Sequence, residues 1–598
     1  MCGIAGVMTR SGAAPSPALL DALARSLIHR GPDGEGRQVE GNVGLVHRRL
    51  AIIDLEGGWQ PLYGPDNSGL SLVANGEIYN YRELTARFPD HRFRTASDCE
   101  LPLHLYADHG LDFVEHLRGM YAIALLDAHK QRLILTRDPF GIKPLYYAET
   151  EAGFAFASEP QCLIAAGWIG GQGEPRKLAE LLNLQFTTGD ETPFARIKRV
   201  LPGEMLVIEG GRIVARRARP ALPATEHEEE ELDEASALAR LDALWAETVE
   251  LHQRADVPYG MFLSGGVDSS AVLAMMKRLN PQPVRAYTIG FSGTQARDER
   301  AHAAQVAKAA GAHHIEVDFT DEDFWTLLPE VAAAMDDPAA DYACLPTYKL
   351  AREARKDVTV ILSGEGGDEL FGGYGRYRGA MRPWPFTRPM RRKGTFDGLK
   401  LYGTALLRPE FAALPWRAGM AAAEKTAHLA GGSRLQQAQT TDIADWLPND
   451  LLGKLDRCLM AHGMEGRVPF LDPVLAAFAF PLSDKLKIRD GRGKYLLRRW
   501  LAQALPESEP FSAKRGFTVP VGEFLARRPQ LGEILARDPG LAEFAQPDSV
   551  RALFRDLPQR SKELGFAAWS LTFTALWHRR HLRGLLPQGD ILDTLSAG

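Results

Sequence analysis

Cys2 stands directly behind the initiator methionine in "MCGIAGVM". A small second residue permits removal of that methionine, which leaves Cys2 with both a thiol and a free α-amine. The unperturbed pKa of such an amine, ~8, lies near ~8.5 for the thiol, so one residue can hold a nucleophile and its general base. The plain structural alternative is a small buried residue in a first strand. Lipid attachment would need a signal sequence, and the start of the chain has neither a basic region nor a long apolar stretch.

A second kind of chemistry is offered by "LSGGVDSS", Leu263 to Ser270. Two glycines and three hydroxyls surround one aspartate between a strand and a helix, where backbone N–H groups make a site for phosphate. The loop is not a Walker A motif, because no G-x-x-x-x-G-K-S/T run is present. "LSGEGGDELFGGY" from Leu362 repeats the pattern after another apolar strand. Asp268 and Asp368 then offer two hard oxygen ligands for Mg²⁺, although either could also cap a helix. Lys494 opens a helical segment in "GRGKYLLR".

These groups need elements to position them. Residues 1 to about 205 read as α+β: short apolar strands start at Gly44, Leu70, Tyr121, Arg132 and Gly153, with helices at Pro17 to His29 and Asp98 to Asp108. "GEMLVIEGGRIVARR" from Gly203 reads as a hairpin turned at Gly210-Gly211. The acidic, proline-bearing stretch from Pro220 reads as a linker, so the units are 1–205, a hairpin end and linker over 206–233, and 234–598. Beyond it a helix over about 234 to 252 precedes strands "PYGMFL", "VRAYTIGF", "HHIEVDF" and "VTVILS", alternating with helices. That alternation means a parallel sheet covered on both faces. From about 375 the chain reads as mostly helical, with an irregular basic stretch near 381 to 393.

The bulk numbers bound the reading. A chain of 598 residues is too long for one core and implies two or three domains. Its net charge of −6 gives no basic surplus to attract nucleic acid or anionic lipid. No apolar run approaches the ~20 residues of a membrane helix. Cys2, Cys99, Cys162, Cys344 and Cys458 are odd in number and scattered. That pattern argues against a disulfide framework or zinc site, and for a reducing, cytoplasmic setting.

Behind Cys2, "HRGPD" (His29), "RRLAIIDL" (Arg48), "NGEIYNY" (Asn75), "SDCE" (Ser97) and "RDPFGIKPLYY" (Arg137) follow in order. Together they resemble the glutaminase domain of class II glutamine amidotransferases, which are N-terminal nucleophile hydrolases with a four-layer αββα fold. The two glycine loops resemble those of ATP pyrophosphatases, whose fold is the α/β parallel sheet of adenine-nucleotide hydrolases. "AHGMEGRVPFLD" and "GRGKYLLR" resemble the C-terminal part of asparagine synthetases. The resemblance, to the glutamine-hydrolysing asparagine synthetase family, thus covers nearly the whole chain.

The resemblance implies roles. Cys2 attacks glutamine, and Asn75 with the N–H of Gly76 forms the oxyanion hole, glycine letting the main chain approach closely. Arg49, a planar fork, takes the glutamine carboxylate and Asp98 its amine, with Ile52, Ile53 and Glu77 lining the pocket. ATP falls to Leu263, Ser264, Gly265, Gly266, Asp268, Ser269, Ile289, Gly290, Ser363 and Gly364, with Mg²⁺ on Asp268 and Asp368. Glu365 contacts the adenylate intermediate and Lys494 stabilises phosphate charge. His29 and Arg30 read as structural. Family members pass ammonia through an internal channel, expected here between the domains with a mainly apolar lining.

Aspartate is the default acceptor, and "DDPAADYACLPTYKLAREAR" from Asp336 is expected to line its pocket. Relatives act on surface-sugar carboxylates, β-lactam precursors or peptide backbones; the last two often lose the glutaminase cysteine that this chain keeps. Two features leave the acceptor open: residues 376–445 match the family poorly, and Gly466 stands where a larger residue is commoner. A tRNA-modifying sulfur transferase would give no reason for Cys2 or the first domain. A non-catalytic relative should lack Cys2, Arg49, Asp98 or a loop aspartate. The expected partners are therefore small molecules (glutamine, ATP and aspartate), without nucleic acid or membrane, in a family whose members are often dimers.

Overall fold

A computed structural model describes residues 2–597 apart from 225–231, 296–297, 383–384, 387–389, 391–392 and 513–518. Met1, the centre of the acidic linker and parts of the basic stretch lie outside the described residues. Among the described residues no helix is long and apolar enough to cross a membrane.

The first layers are two antiparallel sheets. One holds β1 (Gly3–Thr9), β2 (Gly34–Glu40), β3 (Val43–Arg49), β8 (Tyr146–Thr150), β9 (Gly153–Ala157) and β10 (Lys198–Arg199) in the order β10-β8-β9-β1-β3-β2. The other holds β4 (Leu62–Tyr63), β5 (Leu70–Ile78), β6 (Gly119–Asp127), β7 (Arg132–Arg137), β11 (Glu204–Glu209) and β12 (Arg212–Ala218) in the order β12-β11-β7-β6-β5-β4. Side chains alternate across each strand. Ile4, Met8, Leu45, Phe154 and Phe156 of the first sheet meet Val73, Ala124, Leu135 and Leu206 of the second, forming the core between them. Ala5, Val7, Val46 and Ala155 face outward onto helix Pro17–Ser26. Leu72, Tyr121, Ile123 and Ile134 face the other way onto helix Leu101–His109. The result is the αββα sandwich expected from the sequence, with the Gly203 hairpin forming the edge of its second sheet.

Helix Glu234–His252 leads into a five-stranded parallel sheet. Its strands are β13 (Tyr259–Phe262), β14 (Arg285–Phe291), β15 (His313–Phe319), β16 (Val360–Leu362) and, after a short hairpin of β17 (Lys400–Leu401) and β18 (Thr404–Ala405), β19 (Glu465–Arg467). The order β15-β14-β13-β16-β19 reverses direction at β13, so the chain leaves β13 on one side and returns beside it as β16. Ligand sites in such sheets form at that switch point. The mostly helical reading after 375 holds, the strands within it being the β17–β18 hairpin and β19, which is drawn from helical surroundings by pairing with β16.

The two parts meet across a seam of buried charge. Arg30, fully buried, donates to both carboxylate oxygens of Asp456, at 2.8 and 3.1 Å, and to Glu159 at 2.9 Å. Arg118 bonds Asp472 at 2.7 Å, and Lys143 donates to the Gly466 carbonyl at 3.3 Å. Arg467 reaches Glu77 at 3.5 Å while its Nη1 caps the His252 and Arg254 carbonyls. These ion pairs run beside an apolar cluster that also spans the two parts, in which Met120, Phe140, Ile142 and Phe194 join Leu452, Leu455 and Trp577. Burial costs each charge several kcal/mol of hydration, recovered only through close pairing.

Removing one partner should therefore be severe. Arg30→Met leaves Asp456 with Arg457 alone and Glu159 with His29 as its near partner, and should lower unfolding free energy by about 3–5 kcal/mol, read from urea denaturation. A loss below about 1 kcal/mol, typical of surface sites, would show that the seam does not hold the two parts together.

Candidate active sites

The first site is built on strand ends. Cys2 precedes β1 and is buried, and its nitrogen donates to Asn75 Oδ1 at 3.0 Å. Asn75 sits in β5 with no exposed surface, and its other amide atom, Nδ2, is a buried donor with no acceptor. Leaving such a donor unpaired costs about 1–3 kcal/mol, so beside a nucleophile it reads as a donor kept for a ligand oxygen. Gly76 must be glycine, because a Cβ there would stand 2.1 Å from the Met120 carbonyl on β6. Burial pushes the Cys2 thiol up, and it lies close enough to Glu77 and Arg49 to feel their charges. Arg30 donates from Nε to the Cys2 carbonyl at 3.2 Å, which fixes the backbone behind the thiol.

Arg49 and Asp98, either of which alone could have been a surface charge, are both buried. Arg49 is held by the carbonyls of Leu55 and Asp54, at 2.8 and 2.6 Å, and lies 5.0 Å from the Trp59 ring centre. Asp98 accepts from the Ile78 N–H at 2.6 Å, and burial above all raises its pKa to about 6. Asp54 ties the two supporting loops together, accepting from Gly57 N at 3.0 Å and Ala96 N at 2.8 Å. Ile52 is buried and Ile53 half-buried on the same loop. Burial pushes the Glu77 carboxyl well up, and Asp98 adds to the effect.

The second site is a cavity of about 510 Å³ at the switch point between β13 and β16. The loop after β13 brings Leu263, Ser264, Gly265, Gly266, Asp268 and Ser269 to its wall, and the loop after β16 brings Ser363, Gly364, Glu365 and Asp368. The loops can touch because Gly364 lacks a Cβ, which would stand 2.9 Å from Asp268 Cβ. Lys494 donates to Asp268 and lies 2.8 Å from Asp368 Oδ1. A Cβ at Gly373 would strike both Asp368 and Lys494. Lys494 itself holds a left-handed conformation, φ 60°, unusual for a residue with a side chain, as its N–H bonds the Phe371 carbonyl at 2.9 Å.

Ile289 lines the cavity, whereas Gly290 does not; a Cβ at 290 would meet the Arg300 side chain instead. The stretch from Asp336 divides. Asp341, Tyr342 and Thr347 line the cavity, but Asp336 turns to the seam, bonding Arg457 at 2.8 Å. Sequence reasoning missed Lys454, a cavity residue buried in helix Gly453–Met460 and bonded to Asp341 at 2.7 Å. The signal was present: Lys454 and Arg457 recur at helical spacing on a face shared with Leu455 and Cys458, where charge needs a buried partner. Burial also raises the Glu365 carboxyl, with Lys454 opposing the rise.

Comparison with known proteins agrees with this geometry. A glutamine amidotransferase domain model matches residues 1–217, and an asparagine synthase model matches residues 240–579. Glutamine-hydrolyzing asparagine synthetase 1 of Bacillus subtilis is 31% identical over 97% of this chain and 96% of its own length. Asparagine synthetase 3 of the same organism is 29% identical, with 85% of each chain covered. The chain belongs to the asparagine synthase family, with a glutamine amidotransferase domain preceding its synthase domain.

Proposed function

We propose that this protein is a glutamine-hydrolysing asparagine synthetase, an ATP-dependent carbon–nitrogen ligase acting on aspartate. The observation that carries the reading is Asn75: one amide atom holds the Cys2 nitrogen while the other is a buried donor without an acceptor. With Met1 removed, the Cys2 amine takes the thiol proton as sulfur attacks the glutamine side-chain carbonyl. The oxygen that gains charge is stabilised by Asn75 Nδ2 and the Gly76 N–H. Ammonia leaves, and water then releases glutamate from the thioester. Arg49 orients the substrate carboxylate and Asp98 its ammonium, both on loops that Asp54 holds.

At the other site the aspartate β-carboxylate attacks the α-phosphorus of ATP and pyrophosphate departs. Ammonia then attacks the activated carbonyl, AMP leaves, and asparagine forms. The N–H groups of the Ser264–Ser269 loop, at the start of helix Val267–Leu279, receive the pyrophosphate. Lys494 adds positive charge there, and Glu365, with its raised affinity for a proton, is the base for the attacking ammonia. Asp268 and Asp368 fit Mg²⁺: two hard anionic donors converge on one cationic group, beside glycines whose Cβ atoms would fill the space. Such an ion would neutralise charge on the departing phosphates. Five unpaired, buried cysteines support a cytoplasmic setting.

Cys2→Ala should lower glutamine-dependent asparagine formation by about 10³-fold or more and leave ammonia-dependent formation intact. Equal loss of both would contradict two separate sites. Asp98 must be ionised to bind the substrate ammonium, and its pKa in the free protein is about 6. Glutamine binding to the Cys2→Ala protein, followed by calorimetry, should therefore weaken by about tenfold per pH unit below that value. Asp98→Asn should remove the pH dependence. Asp268→Asn should cut ATP-dependent pyrophosphate release by at least about 10²-fold while glutaminase turnover continues; unchanged pyrophosphate release would refute the phosphate-site assignment.

A further inference from the structure

We infer that Asp341 and Lys454 form the recognition pair for the acceptor's α-ammonium and α-carboxylate, and so select a free amino acid over a simple carboxylic acid. The inference rests on the reading of aspartate as acceptor. Both residues line the 510 Å³ cavity, and their side chains meet at 2.7 Å from facing elements. Asp341 lies in the turn before helix Cys344–Ala354, where its Oδ1 accepts from the Ala343 N–H at 3.0 Å and its Oδ2 faces Lys454. Lys454 comes from helix Gly453–Met460, whose Asp456 is held by Arg30.

Packing does not require this pair. The two helices already meet through Leu345, Leu455 and Leu459, and Cys458 donates to the Cys344 carbonyl at 3.3 Å. A buried ion pair used only for packing is often matched or bettered by apolar residues, so its presence in a cavity wall calls for a ligand with complementary charge. Glu365 lines the same cavity and is near enough to feel Lys454 and Asp341 as well as Asp368 and Asp268. The reacting carboxylate belongs at the phosphate side. What remains of aspartate is one ammonium and one carboxylate on a single carbon, to be met by one anion and one cation side by side. Binding exchanges the Asp341–Lys454 contact for two charge-assisted bonds and leaves no charge unpaired. An acid lacking either group would strand one buried charge, which is the strongest form of discrimination such a site can make.

Three acids separate the contributions: aspartate, succinate (no ammonium) and β-alanine (no α-carboxylate). ATP-dependent pyrophosphate release by the full-length protein should favour aspartate over each analogue by at least about tenfold in kcat/KM. Asp341→Asn should close the aspartate–succinate gap, chiefly through a raised KM for aspartate, and keep the aspartate–β-alanine gap. Lys454→Met should do the reverse, so each variant controls for the folding of the other. Retention of both gaps in both variants would overturn the inference while leaving the proposed function standing. Loss of release with all three acids in both variants would assign the pair a structural role and also overturn it. A wild-type protein that releases no pyrophosphate with aspartate would instead defeat the acceptor reading, and the inference with it.

Discussion

One ion pair sets the relation between the two chemistries: Arg30 with Asp456. The guanidinium is fully buried, takes both oxygens of Asp456, and turns its remaining Nε to the carbonyl of Cys2. Asp456 lies two residues from Lys454, in the wall of the nucleotide cavity. A single side chain therefore fixes the Cys2 backbone against the helix that carries Lys454 into the cavity wall. Arg467 repeats the device from the sheet. Its carbonyl accepts from Ser363 N at 2.8 Å, at the start of the second glycine loop, while its side chain reaches Glu77 beside the oxyanion hole.

This arrangement sets buried charge into an interface whose apolar residues already form one continuous cluster. A wholly apolar lining would bury more surface, but it is non-directional and would let one part rotate on the other. Paired charges with bidentate geometry fix orientation, at a cost in desolvation that is tolerable only because each charge is met. Under the proposed function, two sites that pass ammonia between them need fixed relative placement more than extra stability. The Glu77–Arg467–Glu465 cluster and Lys143 lie in this region.

Much of this was legible in the chain. Short apolar runs bounded by turn residues identified β5, β6 and β7, strand–helix alternation identified the parallel sheet, and the glycine loops marked its switch point. β19 was not legible: three residues, "EGR", pair with β16 over a separation of about a hundred residues, and local propensity cannot register such a contact. Likewise Pro448 lies inside a π-helical turn, Asp442–Leu452, that tertiary packing imposes. Among the site residues, those in glycine-rich or hydroxyl-rich loops were visible because their types suit ligands. Arg30 read as structural, whereas Lys454 passed for an ordinary helix charge, since the Asp341 that pairs with it comes from a distant part of the chain. Gly290 stands beside Ile289 in a strand, where its missing Cβ makes room for Arg300.

The claim on which the account turns is that nitrogen freed at Cys2 reaches the activated acceptor without entering the solvent. Glutamine labelled with ¹⁵N at its amide, supplied together with an equimolar amount of unlabelled ammonium, tests it directly. Mass analysis of the asparagine formed should show the amide nitrogen derived from glutamine, undiluted by the ammonium. Isotope diluted in proportion to the external pool would show that the sites exchange nitrogen through bulk water, and that the seam serves only to hold the two parts together.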